Sequence, residues 1–344
     1  CGITEQDIVQ AARWFGRSGA ALSLYCQGLN QSAHGTHNNA GIIHLHLATG
    51  QVGKPGAGPF SLTGQPNAMG GREVGGLSNL MSAHRDLGNP AHRAEMARFW
   101  GVPFVPSQPG KSAVDLFKSL KTGEIKAVWI ACTNPAQSLP NQAAVREALQ
   151  AAEYVVLQEA YGNTDTADYA DLLLPASGWG EKYGTVTNSE RCITRVMPAV
   201  QAPGEARHDW EIVVDFARRL GQKLDHAGAQ KLFPYTDAEA IFNEHRESTR
   251  GRDLDITGLS YALLEVNGPQ QWPYPDGATA GKVRLYEDGV FPTPDGKARF
   301  VAIEHQPTAE TTTLNLPISL LSGRMRDHWH GMSRTGTVPR LFNL

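Results

Sequence analysis

Three short polar clusters stand directly after apolar runs in this chain, at positions where side chains commonly bind ligands. Gln27 to Gln31 follows the first such run. Cys132 to Pro135 follows Ala127 to Ala131, and Gln158-Glu159 follows Tyr154 to Leu157. If the runs are parallel strands, a ligand would bind beyond their carboxyl ends, so the clusters predict a nucleotide-type site. Simple turns show the same pattern, which therefore does not name a ligand.

The cysteines and histidines are not spaced as metal ligands. No two of the four cysteines form a C-x-x-C pair, which argues against a zinc or iron–sulfur site in this chain. We expect reduced thiols packed as small hydrophobes, as in a cytoplasmic enzyme. His44 and His46 lie two apart on a predicted helix and so do not share a face. His328 and His330 leave a metal as an open alternative.

The elements that position these clusters follow from apolar spacing and from Gly and Pro punctuation. The spacing predicts strands over Ala20–Tyr25, Ala127–Ala131, Tyr154–Leu157, Asp171–Leu174 and Ile318–Leu321. It predicts helices from the Thr4 cap to Gly16, over Asn39–Thr49, over Asn141–Ala151, and over Asp209–Leu220 with Gly221 as the stop. Strand, helix and strand within 127–157 form a βαβ unit, so we predict an α/β fold with a mostly parallel sheet covered by helices.

The segment Gly50 to Gly76 has nine glycines and three prolines in 27 residues. Such a composition excludes a long helix or strand. A flexible linker would be rich in polar residues, whereas this segment also carries Phe60, Leu62 and Met69, which prefer burial. We therefore predict an ordered irregular loop over a ligand. Residues 268–296 are rich in Pro, Gly and Asp and predict surface hairpins or a boundary region.

Composition and charge restrict the partners. The chain has 344 residues, of which 41% are hydrophobic and 19% charged, as is ordinary for a globular protein. Its formal net charge of -3 offers no attraction for nucleic acid or anionic lipid. No apolar run approaches the roughly 20 residues that a membrane span needs. We expect neither nucleic acid nor membrane as a partner.

Five blocks of the sequence resemble, in order, the nitrate reductases that hold molybdenum on two pterin guanine dinucleotides. The first covers residues 24–76, beginning LYCQGLNQSAHG and ending GQPNAMGGREVGG. The others are WIACTNPAQSLPN (129–141), LLLPASGWGEKYGTVTNSER (172–191), QAPGEARHDW (201–210) and SGRMRDHWHGMSRTG (322–336). The assimilatory, cytoplasmic branch is the most similar, and the periplasmic branch is next.

The resemblance implies a Rossmann-like α/β fold, that of the central domains of the dimethyl-sulfoxide-reductase type, with the start of a C-terminal β-rich domain. It implies four parts. Residues 1–56 would end one α/β domain and include a pterin-contact loop, and 57–230 would form a dinucleotide-binding domain with the Gly-rich active-site loop. Residues 231–312 would be a helical and irregular extension, and 313–344 would begin the C-terminal pterin-binding domain.

The resemblance also implies which residues bind the cofactor. They lie after the strands and in the later blocks: Gln27, Gln31, Asn134, Gln158, Glu159, Lys182, Asp209, Ser322, Gly323, Arg324, His328, Trp329 and His330. The physical chemistry agrees, because a carboxylate such as Asp209 or Glu159 accepts both donors of guanine, and Lys182 and Arg324 can neutralise pyrophosphate. Taken singly, Glu159 could be a solvated carboxylate, Asp209 a helix cap and Lys182 a surface charge.

Arg72 resembles an active-site arginine near the metal. There a cation would attract nitrate and offset charge that develops during oxygen transfer. A salt bridge to Glu73 or an anchor for the loop is the alternative. Where the periplasmic relatives carry Met, this chain carries Gln27, so the pocket beside the metal differs.

The function that the resemblance implies is reduction of nitrate to nitrite at a molybdenum bis(molybdopterin guanine dinucleotide) centre. The electron donor would be ferredoxin, flavodoxin or an NADH-linked reductase. The chain lacks the family's four-cysteine motif for a [4Fe-4S] cluster, the cysteine that ligates molybdenum, and most of the last domain. We therefore expect a piece of a longer subunit, inactive by itself. Formate dehydrogenase or another enzyme with this cofactor, and a non-catalytic nucleotide-binding module, are the alternatives.

Overall fold

The computed structural model describes residues 2–226, 228–308, 310–320, 323, 325–329 and 331–342. The chain forms two compact units. Unit 1 comprises Cys1–Gly71, Val186–Thr194 and Thr249–Leu320, and unit 2 comprises Arg72–Thr185, Arg195–Ser248 and Leu321–Leu344.

The helices and strands are short and alternate along much of the chain. The helices are α1 Glu5–Arg17, α2 Gln27–Asn30, α3 Gly35–Ala48, α4 Ala68–Glu73, α5 Pro90–Trp100, α6 Ala113–Lys121, α7 Pro135–Ser138, α8 Gln142–Ala151, α9 Asp209–Lys223, α10 Ala229–Leu232, α11 Ala238–Ser248, α12 Tyr261–Asn267 and α13 Pro339–Phe342. The strands are β1 Leu22–Tyr25, β2 Gly58–Ser61, β3 Leu80–Met81, β4 Arg85–Asp86, β5 Ala127–Ala131, β6 Tyr154–Glu159, β7 Leu172–Pro175, β8 Gly184–Thr187, β9 Cys192–Val196 and β10 Gln270–Gln271. No helix among the described residues is long and apolar enough to cross a membrane.

The centre of unit 2 is a parallel sheet in the order β5-β6-β7. Ala127 lies opposite Tyr154, and Val156 lies opposite Leu172. Helices α6 and α8 contribute Leu120 and Ala148 to the same core as β6, whose Leu157 is fully buried. The α/β class, the parallel sheet covered by helices, and the pairing of the strand at 127–131 with that at 154–157 are therefore confirmed.

Local signals start the two helices that cover this sheet. Ser112 precedes α6, and its hydroxyl accepts from the backbone N–H of Asp115 at 3.4 Å. Asn141 precedes α8 with a φ of 54°, a left-handed conformation that Asn tolerates better than most residues. Its side-chain oxygen accepts from the N–H of Ala144 at 3.5 Å, so one unpaired amide of the first turn is satisfied.

Unit 1 contains a smaller parallel pair, β1 and β2, with Leu22 opposite Gly58. Helix α3 supports β1 through the fully buried His46, whose Nε2 lies 2.7 Å from the hydroxyl oxygen of Ser23. Burial lowers the pKa of His46, so the imidazole is neutral at neutral pH. In the same unit, β9 pairs antiparallel with β10.

The structure corrects the predicted helix ends. Helix α1 continues past Gly16 to Arg17, because the N–H of Ser18 still reaches the carbonyls of Trp14 and Phe15. Helix α9 continues through Gly221 to Lys223. The polar cluster Gln27 to Gln31 forms α2 and its C-terminal cap, and α3 begins at Gly35 rather than at Asn39. A Cβ at Gly35 would lie 2.7 Å from the carbonyl oxygen of Asn30, so glycine permits this close packing.

Three further predictions about elements need correction. The Gly-rich segment is ordered and holds no long helix or strand, as predicted, but it is not irregular throughout, because it contains the short elements β2 and α4. Strand β2 forms because pairing with β1 overrides the low strand propensity of Gly58 and Pro59. Gln158 and Glu159 are the last residues of β6 and not a loop beyond it. Residues 318–320 form no strand, Leu321 lies outside the described residues, and the described part of 313–342 contains only a 3-10 turn and α13.

Candidate functional site

The side chain of Asp209 joins three elements at the carboxyl end of the parallel sheet. Gln158, near the end of β6, donates from Nε2 to Asp209 Oδ1 at 2.8 Å. Lys182 donates from Nζ to Asp209 Oδ2 at 2.7 Å. The thiol of Cys132, directly after β5, donates to Asp209 Oδ1 at 3.5 Å. The structure therefore brings together three of the predicted cofactor residues and one cysteine.

The backbone explains why these side chains meet. Cys132 turns the chain away from β5 with a φ of 60°, and its N–H still donates to the carbonyl of Gln158 at 3.0 Å. On the other edge, Ala176 and Arg207 form a parallel bridge, so the segment before α9 extends the sheet beyond β7. Helix α9 consequently begins at the carboxyl edge, with Asp209 as its first residue, where the helix dipole favours a negative charge.

The charges of the cluster shift two pKa values in opposite directions. Burial tends to raise the pKa of Asp209, but hydrogen bonds from Lys182 and Gln158 and the charge of Lys182 outweigh it, and the pKa lies below its ordinary value. Partial desolvation and the negative charge of Asp209 raise the pKa of the Cys132 thiol to about 11. At neutral pH the carboxylate is charged and the thiol is protonated.

Glu159 lies beside this cluster, fully buried at the end of β6. Its Oε1 accepts from Arg334 at 2.5 Å and from the N–H of Ala160 at 2.8 Å. Its Oε2 is buried without a hydrogen-bond partner, and so is Oε1 of the neighbouring Gln158. A buried acceptor without a donor is costly in a protein interior, and a ligand with donor groups would stabilise the structure at either atom.

Asn134 lies on the same edge of the sheet, but the oxygen and the nitrogen of its side chain are both hydrogen-bonded to other residues of the chain. Its Oδ1 accepts from the N–H of Thr166 at 3.1 Å and from the hydroxyl of Thr166 at 2.7 Å. Its Nδ2 lies 3.0 Å from the Ser333 hydroxyl oxygen and 3.3 Å from Asp165 Oδ2. This amide orders the loop after β5, and its contact with a dinucleotide stays a prediction.

Sequence reasoning missed Arg334 and Gln137, which fix the segment 331–334 to the sheet edge. Gln137 donates from Nε2 to the carbonyl of Gly331 at 2.6 Å. The Arg334 guanidinium pairs with Glu159 and lies 5.4 Å from the ring centroid of Tyr161. The signal was present in the last block, SGRMRDHWHGMSRTG, but the predicted site stopped at His330, four residues before Arg334.

The other predicted residues of that block are only partly described. His328 bonds locally, with Nδ1 3.1 Å from the Thr335 hydroxyl oxygen and Nε2 2.8 Å from the carbonyl oxygen of Leu341. Trp329 and Gly323 are exposed. Ser322, Arg324 and His330 lie outside the described residues. Cofactor contact by this stretch therefore stays a prediction.

The remaining predicted residues are Gln27, Gln31 and Arg72. Gln27 is the half-buried first residue of α2 in unit 1, and the exposed Gln31 follows the end of that helix. Arg72 is exposed near the end of α4, in unit 2. Among the described residues it forms no salt bridge, so the predicted alternative of an ion pair with Glu73 is not what the structure has. Also among the described residues, no group of three or more His, Cys, Asp and Glu side chains is arranged to hold a metal ion.

The lowered pKa of Asp209 predicts a defined pH dependence of stability. A carboxyl group whose folded pKa is depressed stabilises the fold above its unfolded pKa, and this contribution is lost as the pH falls through the folded pKa. Asp209→Asn should therefore lower the free energy of unfolding at pH 7. The difference from the wild type should shrink once the pH falls below the ordinary value of 3.8. Denaturant unfolding between pH 7 and pH 3 measures it, and a difference independent of pH would contradict the lowered pKa.

Comparison with known proteins places this site in a family context. Nitrate reductase from Synechocystis sp. is 42% identical, with 99% of this chain and 48% of that protein covered. Nitrate reductase from Klebsiella oxytoca is 43% identical, with 99% and 39% covered. The assimilatory nitrate reductase catalytic subunit of Bacillus subtilis is 36% identical, with 94% and 45% covered. The chain thus spans less than half the length of these relatives.

One solved structure with a similar arrangement is acetylene hydratase from Pelobacter acetylenicus. Its TM-score is 0.40 at 21% identity, with 60% of this chain and 26% of that chain covered. The family assignment comes from the sequence. The family model described as molybdopterin oxidoreductase matches residues 10–219, more than half of the chain. The chain therefore belongs to the molybdopterin oxidoreductase family.

Proposed function

We propose that this chain is part of the catalytic subunit of a nitrate reductase, and that unit 2 binds a guanine dinucleotide arm of a molybdenum-pterin cofactor. The observation that carries the proposal is the cluster at the sheet edge. Asp209 and Lys182 form a half-exposed ion pair there, and Gln158 donates to the same carboxylate. Gln158 Oε1 and Glu159 Oε2 are buried acceptors without a partner. The three relatives given above are all named nitrate reductases, and these names support nitrate as the substrate.

The donor and acceptor groups of the cluster suit guanine. Guanine presents N1–H and an exocyclic amine as adjacent donors, and a carboxylate can accept from both. Asp209 is the better candidate, because 34% of its side chain is exposed, whereas Glu159 is 1% exposed and already paired with Arg334. The Lys182 ammonium, with 27% of its side chain exposed, is available to a pyrophosphate. Gln158 Oε1 would accept a further donor.

When bound, the molybdenum-pterin group supplies oxygen-atom transfer with two electrons, by which nitrate and two protons become nitrite and water. The part of this chain is to bind and orient. Asp209, Gln158 and Lys182 would hold the dinucleotide end. Arg72 would hold nitrate, since its exposed guanidinium has no ion-pair partner among the described residues and can meet two oxygens of the planar anion at once.

The finer parts of the proposal concern the longer parent protein. We propose the bis(molybdopterin guanine dinucleotide) form of the cofactor, with a [4Fe-4S] cluster held by parts of the parent outside this chain. Ferredoxin, flavodoxin or an NADH-linked reductase would donate electrons in the cytoplasm, as in assimilatory metabolism. The four-part division at residues 56, 230 and 312 belongs to the same proposal. Gln27 and Gln31 would contact the pterin.

The function is tested on the full-length parent purified without denaturation. We expect molybdenum and a guanine nucleotide on release of the bound material, and nitrate reduction with a reduced viologen dye as electron donor. Turnover of formate in place of nitrate would favour the formate dehydrogenase alternative. A preparation that contains guanine nucleotide but neither molybdenum nor activity would favour a non-catalytic nucleotide-binding module.

Substitution of two carboxylates of α9, Asp209 and Asp215, tests the dinucleotide site. Asp209→Asn replaces one acceptor oxygen by a donor, which faces the donors of guanine, so the purified parent should retain several-fold less guanine nucleotide. Asp215→Asn is the matched control. Asp215 is also 34% exposed and ion-paired, with Arg207 and Arg219, and it lies six residues further along α9. Equal nucleotide loss in both variants, measured per protein, would refute a specific role for Asp209.

Arg72→Lys in the parent should keep the cofactor but lose most nitrate turnover. Lysine keeps the positive charge but loses the planar fork, and a contact that strengthens during oxygen transfer should lower kcat as well as raise KM. We expect kcat/KM to fall by roughly 10- to 100-fold, the size of one charged hydrogen bond. Molybdenum content and nitrate kinetics are measured on the same preparation. Unchanged turnover per molybdenum would show that Arg72 has no part in catalysis.

A further inference from the structure

Arg85 is a buried cation in unit 2, and its guanidinium donates hydrogen bonds to three separate segments of the chain. Its side chain is 3% exposed and follows the turn of the β3–β4 hairpin. Nη1 donates to the carbonyl of Ser82 at 2.9 Å and to the carbonyl of Ser248 at 2.8 Å, and Nη2 donates to Glu95 Oε1 at 2.6 Å. A buried guanidinium with this many partners holds its surroundings in one geometry, because breaking any contact leaves a polar group unpaired.

The turn that Arg85 holds is strained. Ala83 has a φ of 58° and His84 a φ of 56°, so two successive residues with side chains adopt the left-handed conformation. Neither is glycine, and such a conformation persists only when surrounding contacts over-determine it. Ala83 is fully buried, which adds to the constraint.

A second set of contacts closes the turn from the side of α11. The Ser248 hydroxyl donates to the carbonyl of His245 at 2.6 Å, and the Ser82 hydroxyl oxygen lies 2.6 Å from Ser248 Oγ and 2.9 Å from His245 Nδ1. Burial lowers the pKa of His245 to about 4, so its ring is neutral at neutral pH. Each of these contacts has one donor and one acceptor if the His245 ring donates to the Ser82 hydroxyl and the Ser82 hydroxyl donates to Ser248.

The same turn touches the end of α4 directly. The N–H of Ala83 donates to the carbonyl of Glu73 at 2.7 Å. Two residues further on, Gly75 has a φ of 82°, and a Cβ there would lie 2.6 Å from the backbone carbon of Met81. The backbone on the carboxyl side of Arg72 is thus packed against the hairpin without room for a side chain. The position of the hairpin therefore determines the position of Glu73 and of its neighbour Arg72.

We infer that Arg85 is a positioning residue for Arg72, holding the strained hairpin that fixes the backbone next to it. The inference rests on the proposed function, in which Arg72 contacts nitrate. Arg85 itself is buried and meets no substrate. A displacement of about 1 Å at a reacting group can lower the rate by a factor of about 100. A variant that weakens the contacts of Arg85 should therefore show a measurable loss of nitrate turnover.

The experiment is a double-mutant cycle in the full-length parent, with Arg85→Lys, Arg72→Lys and both together. Lysine at position 85 keeps the charge but cannot serve two carbonyls and a carboxylate with a planar fork. We expect molybdenum content to stay normal, nitrate kcat/KM to fall roughly tenfold or more, and kcat to fall with it. The double variant should fall no further than Arg72→Lys alone, because a displaced Arg72 has already lost its contact. Amide hydrogen exchange over 72–86 should become faster.

Arg218→Lys is the matched control, because Arg218 also clamps two carbonyls in unit 2, those of Phe233 and Tyr235 at 2.9 and 3.0 Å. It should lower thermal stability and leave nitrate turnover per molybdenum unchanged. If Arg85→Lys does not fold, Glu95→Gln removes only the countercharge, at a side chain that is 40% exposed, and should shift kinetics and exchange in the same direction.

The outcomes separate this inference from the proposed function. Additive losses in the double variant, normal turnover in Arg85→Lys or Glu95→Gln, or an equal loss in Arg218→Lys would each overturn the positioning role while nitrate reduction stands. A wild-type parent that carries molybdenum but does not reduce nitrate would overturn the proposed function, and the role of Arg85 with it.

Discussion

The arrangement at the sheet edge depends on one carboxylate with three donors. Asp209 accepts from the turn after β5, from the end of β6 and from Lys182, so a single group fixes where a strand, a loop and a helix meet. Its negative charge is stabilised by Lys182 and by its position at the start of α9. Without it, Gln158 and Lys182 would lose their common partner.

The sequence predicts the parallel core of unit 2 well, because that core is local. Ala127–Ala131 and Tyr154–Leu157 are apolar runs of strand length separated by a clear helix, and the order strand, helix, strand leaves one favoured arrangement. The pairing of β1 with β2 was not predictable in this way. Gly58 and Pro59 disfavour a strand. They form one only because they pair with β1, which lies more than 30 residues earlier in the chain.

The candidate site shows the same limit. Gln158, Lys182 and Asp209 were predicted and do lie together, because strand ends and a helix start are visible in the sequence and the resemblance supplied the order of the blocks. Arg334 was missed, since its partner Glu159 is 175 residues away and no local pattern marks it. Asn134 was predicted as a ligand contact, which stays a prediction, but its bonds to Thr166, 32 residues further along the chain, were not predicted.

The raised pKa of Cys132 has a consequence for the chemical durability of the cluster. Thiolates, and not thiols, react with alkylating agents, disulfides and peroxides. With a pKa of about 11, this residue has roughly one thiolate in ten thousand molecules at neutral pH. Desolvation and the negative charge of Asp209 therefore disfavour oxidation of Cys132, although the residue is exposed. The carboxylate that joins the cluster thus also lowers the reactivity of its one cysteine.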